Sequence, residues 1–176
     1  MTEKIIAFFS GLPRELYVFV ISILPIVELR GAIPVGAAIG LPFYINYPVA
    51  VLGNLLPVPF ILAFIPFVLE FMHKHRIFPK LVEWVWAKAE KYKDKIIKGD
   101  DEIGKARLSG PVFLALMLFV AIPLPGTGAW TGSLVASLFG LPKRSSFLAV
   151  TLGVLISGVI MCLASYGVLG FLKFLL

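Results

Sequence analysis

The chain has 176 residues, of which 59% are hydrophobic and 15% charged, with a formal net charge of +6. A soluble domain carries roughly a quarter charged residues. A mean hydropathy of +0.96 leaves too little polar surface to face water, so the expected solvent is a bilayer.

In chain order, the start MTEKIIAFFSGLPRELY has one early lysine and a short apolar run but no small-x-small cleavage site. It therefore reads as a short interfacial helix over residues 3–10 rather than a cleavable signal peptide. Pro13 stands near the first position of the helix that follows. Residues 1–15 form this N-terminal interfacial segment.

Residues 16–72 are apolar but do not read as plain spanning helices. A span needs about 20 apolar residues, and Leu16–Val27 ends at the polar stretch Glu28-Leu29-Arg30-Gly31. A second arm ends at Gly40-Leu41-Pro42. Two short arms around a polar tip predict a re-entrant hairpin, whose broken backbone must be covered by protein or line a watery cavity. Tyr47–Phe71 is long enough to cross, with kinks expected at Pro57, Pro59 and Pro66. Asn54, inside that span, is expected to make a helix-to-helix hydrogen bond.

Residues 73–109 hold ten of the sixteen Lys and Arg. Beside long apolar stretches such a cluster points to a cytoplasmic loop near anionic lipid rather than to nucleic acid. Phe78, Leu81, Val82, Val85, Ala89, Tyr92 and Ile96 recur at three- and four-residue spacing, which predicts an amphipathic surface helix over Pro79–Lys98. An exposed loop is expected over Lys98–Lys105, and His73 and His75 read as surface histidines.

Residues 110–176 repeat the first plan. Gly110–Ile122 is an arm, Pro123-Leu124-Pro125-Gly126-Thr127-Gly128 a tip and Ala129–Phe139 a second arm, followed by Gly140-Leu141-Pro142 and a span over Ser146–Leu172. The two blocks align without a gap at an offset of 100 residues: Phe19 and Val20 with Phe119 and Val120, Pro25 with Pro125, Gly40-Leu41-Pro42 with Gly140-Leu141-Pro142, Gly53 with Gly153. A hairpin crosses zero times and a span once, so the second copy is expected to be inverted. Lys143 and Arg144 share a side with the basic linker, whereas the matching loop Leu41–Tyr47 has no Lys or Arg. The positive-inside rule then puts the linker in the cytoplasm and both termini outside. The expected fold is a single all-α membrane domain: an inverted repeat of re-entrant helical hairpin plus transmembrane helix, with an amphipathic cytoplasmic linker helix.

Glu28 and Arg30 are the strongest functional candidates, because ionisable side chains inside the membrane are costly and mark function by default. Glu28 could bind and release a proton, and Arg30 could hold an anionic headgroup through its fork of donors. The alternative is that the two pair and fix the hairpin. Gly31 and Pro34 complete the first half of the candidate site. The second half is Pro125, Gly126, Thr127, Gly128, Trp130 and Thr131, an uncharged set with exposed backbone, two hydroxyls and a helix start that favours anions. Gly36-x-x-x-Gly40 and Gly128-x-x-x-Gly132 also fit helix-contact motifs. No Ser/His/Asp set, Walker loop or HExxH occurs, so neither an enzyme nor a cofactor or metal is expected. Cys162 reads as a small apolar residue.

At Glu28-Leu29-Arg30-Gly31-Ala32-Ile33-Pro34 and at Pro123–Gly132 the sequence resembles the small multidrug export family, a distant relative of the DedA membrane proteins. The resemblance covers roughly residues 16–172. It implies two re-entrant hairpins meeting inside the membrane, proton-dependent transport, and movement of polyprenyl phosphate or scrambling of phospholipid, with Glu28 and Arg30 as acidic and basic site residues. The second hairpin departs from the DedA pattern in carrying no Arg or Glu. The reading is a proton-linked transporter of an amphiphile, with membrane lipids, protons and a second copy of the chain as partners. Its alternatives are a passive scramblase and a structural or assembly protein.

Overall fold

The computed structural model describes residues 13–75, 107–124 and 126–175, together with Glu83, Ala87, Ile97 and Lys98. Seven helices are described: α1 (Arg14–Ile23), α2 (Glu28–Ala38), α3 (Phe43–Leu55), α4 (Pro57–Lys74), α5 (Gly110–Ala121), α6 (Ala129–Leu138) and α7 (Lys143–Leu175). Phe43–Lys74 and Lys143–Gly167 are long and apolar enough to cross a membrane, which places both spans within a few residues of the sequence expectation. Turns aside, the described residues are helical except for one short antiparallel ladder, β1 (Ile97–Lys98) on β2 (Arg107–Leu108). That ladder corrects the linker: Lys98 pairs with Arg107 instead of ending a helix. Within the expected linker helix Glu83 and Ala87 are helical and exposed. The rest of it, the N-terminal interfacial segment and most of the loop after Lys98 lie outside the described residues.

The arms are too short to span. The helices α1, α2, α5 and α6 have 10, 11, 12 and 10 residues, or about 15–18 Å at 1.5 Å per residue. A bilayer core is about 30 Å thick. Proline sets where the first arms stop. Leu24 and Ile122 each precede a proline, which disfavours helical backbone in the residue before it. Both are extended, with φ/ψ of −67°/131° and −75°/118°. The first tip is therefore Leu24-Pro25-Ile26-Val27, and Ile26 is 95% exposed. Glu28-Leu29-Arg30-Gly31, expected at the tip, instead forms the first turn of α2.

Both second arms leave through one kind of turn. Gly40 and Gly140 have φ of +82° and +62°, the left-handed region that glycine enters without a Cβ penalty. The N–H of Leu41 reaches the Gly36 carbonyl and that of Leu141 the Ala136 carbonyl, both at 2.9 Å, while Gly40 donates to Ala37 and Gly140 to Ser137, both at 3.1 Å. This is the double closure of a Schellman helix end, repeated at an offset of 100. The first arms do not keep that offset. Gly53 packs on the Phe19 carbonyl and Gly153 on that of Met117, so Phe19 corresponds to Met117, an offset of 98. The longer second tip accounts for the two extra residues, and the Phe19–Phe119 and Val20–Val120 matches are not spatial equivalents.

The contacts gather the helices into two compact units. One holds α1, α2, α3 and α7 from Val154 on; the other holds α4, the ladder, α5, α6 and α7 up to Gly153. Small side chains are fully buried in each: Val18, Ala32 and Ala50 in the first, Val58, Ala129, Ala136 and Val150 in the second. Phe60, Phe64, Leu148 and Leu163 face outward. Small residues inside and large apolar ones outside suit helices that pack in lipid, where close backbone approach replaces the hydrophobic effect.

Candidate functional site

The first half of the site starts α2. Glu28 is 5% exposed and has φ of +52°, the single positive value at a non-glycine among the described residues. Its N–H donates to the Leu24 carbonyl at 2.9 Å, which turns the chain from tip to helix. A left-handed backbone costs a non-glycine residue about 1–2 kcal/mol, and such strain clusters at functional sites. At a helix N-terminus the carboxylate also complements the helix dipole. Arg30 is half-buried and close enough to Glu28 for their charges to interact. Gly31 is tight: a Cβ there would overlap Val27 Cγ1. Pro34 lies inside α2 and sends no N–H to the Arg30 carbonyl four residues back.

The left-handed Glu28 separates backbone from side chain. Glu28→Gly is expected to be more stable than Glu28→Ala by about 1 kcal/mol, measured by equilibrium unfolding in mixed micelles, although both lose the carboxyl. Equal stabilities would mean that α2 starts without this strain.

The second half of the site is built differently. Pro125 lies outside the described residues. Gly126 and Gly128 have φ of +81° and +147°, values open chiefly to glycine. The Thr127 hydroxyl donates to the Ile122 and Leu124 carbonyls, both at 2.9 Å, so it serves the tip itself. Gly128 precedes α6 with no side-chain cap on that helix start, and Trp130 and Thr131 are half-buried in its first turn. Of the two expected glycine-contact motifs one member of each is a contact. A Cβ on Gly36 would overlap Asn46 Oδ1, and one on Gly132 would lie 2.6 Å from Val120 Cγ2. Gly40 and Gly128 are instead required by backbone conformation.

The expected Leu41–Tyr47 loop is helical from Phe43, and Asn46 is fully buried in it. Asn46 Nδ2 donates to the Ile33 carbonyl at 2.8 Å and to the Tyr166 hydroxyl at 2.9 Å. That hydroxyl donates to the Leu41 carbonyl at 2.7 Å. Asn46, where the sequence predicts an uncharged loop, thus ties α2 and α3 to α7. Asn54, expected to do such work, does not: among the described residues neither of its side-chain polar atoms has a hydrogen-bond partner, at 1% exposure. The available signal was its helical offset from Asn46, eight residues on and about 80° around the helix, within the breadth of one packed face.

No curated protein and no solved structure matches the chain at a significant level. A family model does: residues 28–160, from Glu28 itself into the last span, match the family described as "putative small multi-drug export protein". On that match, with two membrane-length helices, the chain belongs to this family of membrane proteins.

Proposed function

We propose that the chain is a proton-linked secondary transporter of an amphiphile, with a phosphate-headed lipid favoured over a cationic drug. Glu28 carries the reading: a buried carboxyl on strained, left-handed backbone, with a guanidinium two residues on. A carboxyl in such surroundings is suited to exchange a proton, and Arg30 to hold a phosphate through parallel hydrogen bonds. An intramembrane acid and base on a broken helix are the usual elements of a transporter site.

The wider architecture we propose is the inverted repeat of re-entrant hairpins in the plasma membrane of a prokaryote, with the basic linker cytoplasmic. Three observations support it. The four arms are about half the length a span needs. The exit turns match at an offset of 100. In the first unit Asn46 meets Tyr166 whereas Val51 lies against Gly158, so α3 and the end of α7 run antiparallel, as an even number of crossings between them requires. Its small size also favours work as a homodimer.

The test is flux into liposomes under an imposed pH gradient, with a fluorescently tagged isoprenyl phosphate and a cationic dye as competing probes. The expected result is gradient-driven movement of the phosphate that falls at least about tenfold in Glu28→Gln, equivalent to about 1.4 kcal/mol of barrier. Movement indifferent to the gradient and to Glu28→Gln would overturn the reading and favour a passive scramblase. Absence of flux, with Glu28→Gln and Arg30→Ala disturbing assembly, would favour a structural role.

A further inference from the structure

Asn54 is a buried amide with no hydrogen-bond partner among the described residues, in a helix without a charged side chain. Two independent contacts fix the depth. In the antiparallel pair α2–α3, Gly36 lies against Asn46. Eight residues from each, about 12 Å along both helices, stand Glu28 and Asn54. Gly53, the neighbour of Asn54 on α3, packs on α1: a Cβ there would lie 2.6 Å from the Phe19 carbonyl oxygen and overlap the Ser22 hydroxyl, just before the tip Leu24–Val27. Asn54 is therefore level with the first tip and with Glu28.

The backbone around Asn54 is also polar. Pro57 and Pro59 carry no N–H, so the carbonyls of Gly53 and Leu55 lack the helical donor four residues on. Among the described residues Nδ2 of Asn54 has no acceptor and Oδ1 no donor, and buried polar groups of this kind are normally satisfied. A bare cation would serve the oxygens and be repelled by the amide NH2. Water donates and accepts, and commonly makes about three hydrogen bonds to such buried groups. Few charges compete here. From α1 the charged groups are Arg14 and Glu15 at its far end, α3 has none, and Arg30 is on α2 itself. The described part of α7 in this unit offers Cys162, Tyr166 and the buried Ser157; Tyr166 is engaged with Asn46 and Leu41, and the Ser157 hydroxyl, like the Asn54 amide, has no partner among the described residues.

We propose that Asn54 holds a water molecule at the depth of the first tip, and that this water hydrogen-bonds the Glu28 carboxyl. The site makes Asn54 a positioning residue: it keeps a hydrogen-bonding partner beside the acid within the membrane. The water stands on Asn54 and its neighbours; its use in moving a proton to and from Glu28 rests on the proton-linked reading above.

Infrared difference spectroscopy of the full chain in nanodiscs tests it, with H2-18O exchange to mark the O–H stretch of internal water. The expected result is an isotope-sensitive band that is lost in Asn54→Leu and shifted in Glu28→Gln, where the water's partner changes from carboxyl to amide. Absence of any such band from the unsubstituted chain, or a band indifferent to Glu28→Gln, overturns the proposal even where Asn54→Leu fails to fold. If the bands respond as expected while flux ignores Glu28→Gln, the water site stands and proton linkage falls. If flux depends on Glu28 while the band does not, the water site falls alone.

Discussion

Replacing Gly53 by alanine is expected to destabilise the fold by at least about 2 kcal/mol, and by valine more. A Cβ at Gly53 would lie 2.6 Å from the Phe19 carbonyl oxygen and 3.2 Å from Phe19 Cδ2, and would overlap the Ser22 hydroxyl. Ser22 can rotate, though it would forfeit its 2.7 Å hydrogen bond to that same carbonyl. The carbonyl cannot move without carrying α1 away from α3. In lipid no hydrophobic driving force pulls the helices back, because the acyl chains are as apolar as leucine. Gly153→Ala should cost as much, since its Cβ would lie 2.6 Å from the Met117 carbonyl and 2.7 Å from Val120 Cβ. Gly110 and Gly167 serve as controls. A Cβ at either meets nothing within 4 Å, so Gly110→Ala and Gly167→Ala should stay within about 0.5 kcal/mol of the parent. Equilibrium unfolding in mixed micelles, read by tryptophan fluorescence, measures all four. If Gly53→Ala matches the controls, α1 and α3 are not held by this close approach.

Much of this architecture is legible in the sequence, and the parts that are not have a physical reason. The spans could be read because more than twenty consecutive, mostly apolar residues without a charge have few alternatives. The breaks could be read because Pro25, Pro42, Pro123 and Pro142 disfavour helical backbone in the residue before them, although Pro34, Pro48 and Pro66 are carried inside helices. The exit turns could be read from Gly40 and Gly140, since only glycine is at ease there. The entry to α2 could not. Nothing in a glutamate side chain asks for a positive φ, so the sequence signal at Glu28 is its charge, and the eye places a charge at the tip. The structure puts the apolar Leu24–Val27 there and tucks Glu28 into the first turn of the arm. The gapless alignment failed for a similar reason. Helix register is set by contacts such as Gly53 on Phe19, which a one-dimensional match of two apolar stretches does not contain. The polar work of Asn46 was hidden because the loop assigned to it is in fact the first turn of a span. What both breaks share is therefore the exit, and what separates them is the entry: a strained acid in one, glycine backbone in the other.

Asn46 and Gly36 should behave as one unit rather than two. Gly36→Ala alone is expected to cost about 2 kcal/mol, because its Cβ would occupy the place of Asn46 Oδ1. Asn46→Ser alone is expected to cost about 1–2 kcal/mol, since a serine cannot bridge from α3 to both the Ile33 carbonyl and the Tyr166 hydroxyl. Together they should cost less than their sum by about 1 kcal/mol or more, because the shorter side chain vacates the volume that the new methyl needs. The second hairpin already carries the swapped pair. Ala136 and Ser146 stand at the same offset of 100, both fully buried, and Ser146 keeps the same helix-start bond to Pro142 that Asn46 makes to Pro42. The amide is thus matched by a missing methyl in one copy, and the methyl by a missing amide in the other. A double-substitution cycle in the same unfolding assay decides the matter. Strict additivity would mean that the amide and the glycine do not share space. A positive coupling would show that the two copies reached one turn with opposite divisions of volume, leaving to the first the polar bridge that ties its hairpin to the end of α7.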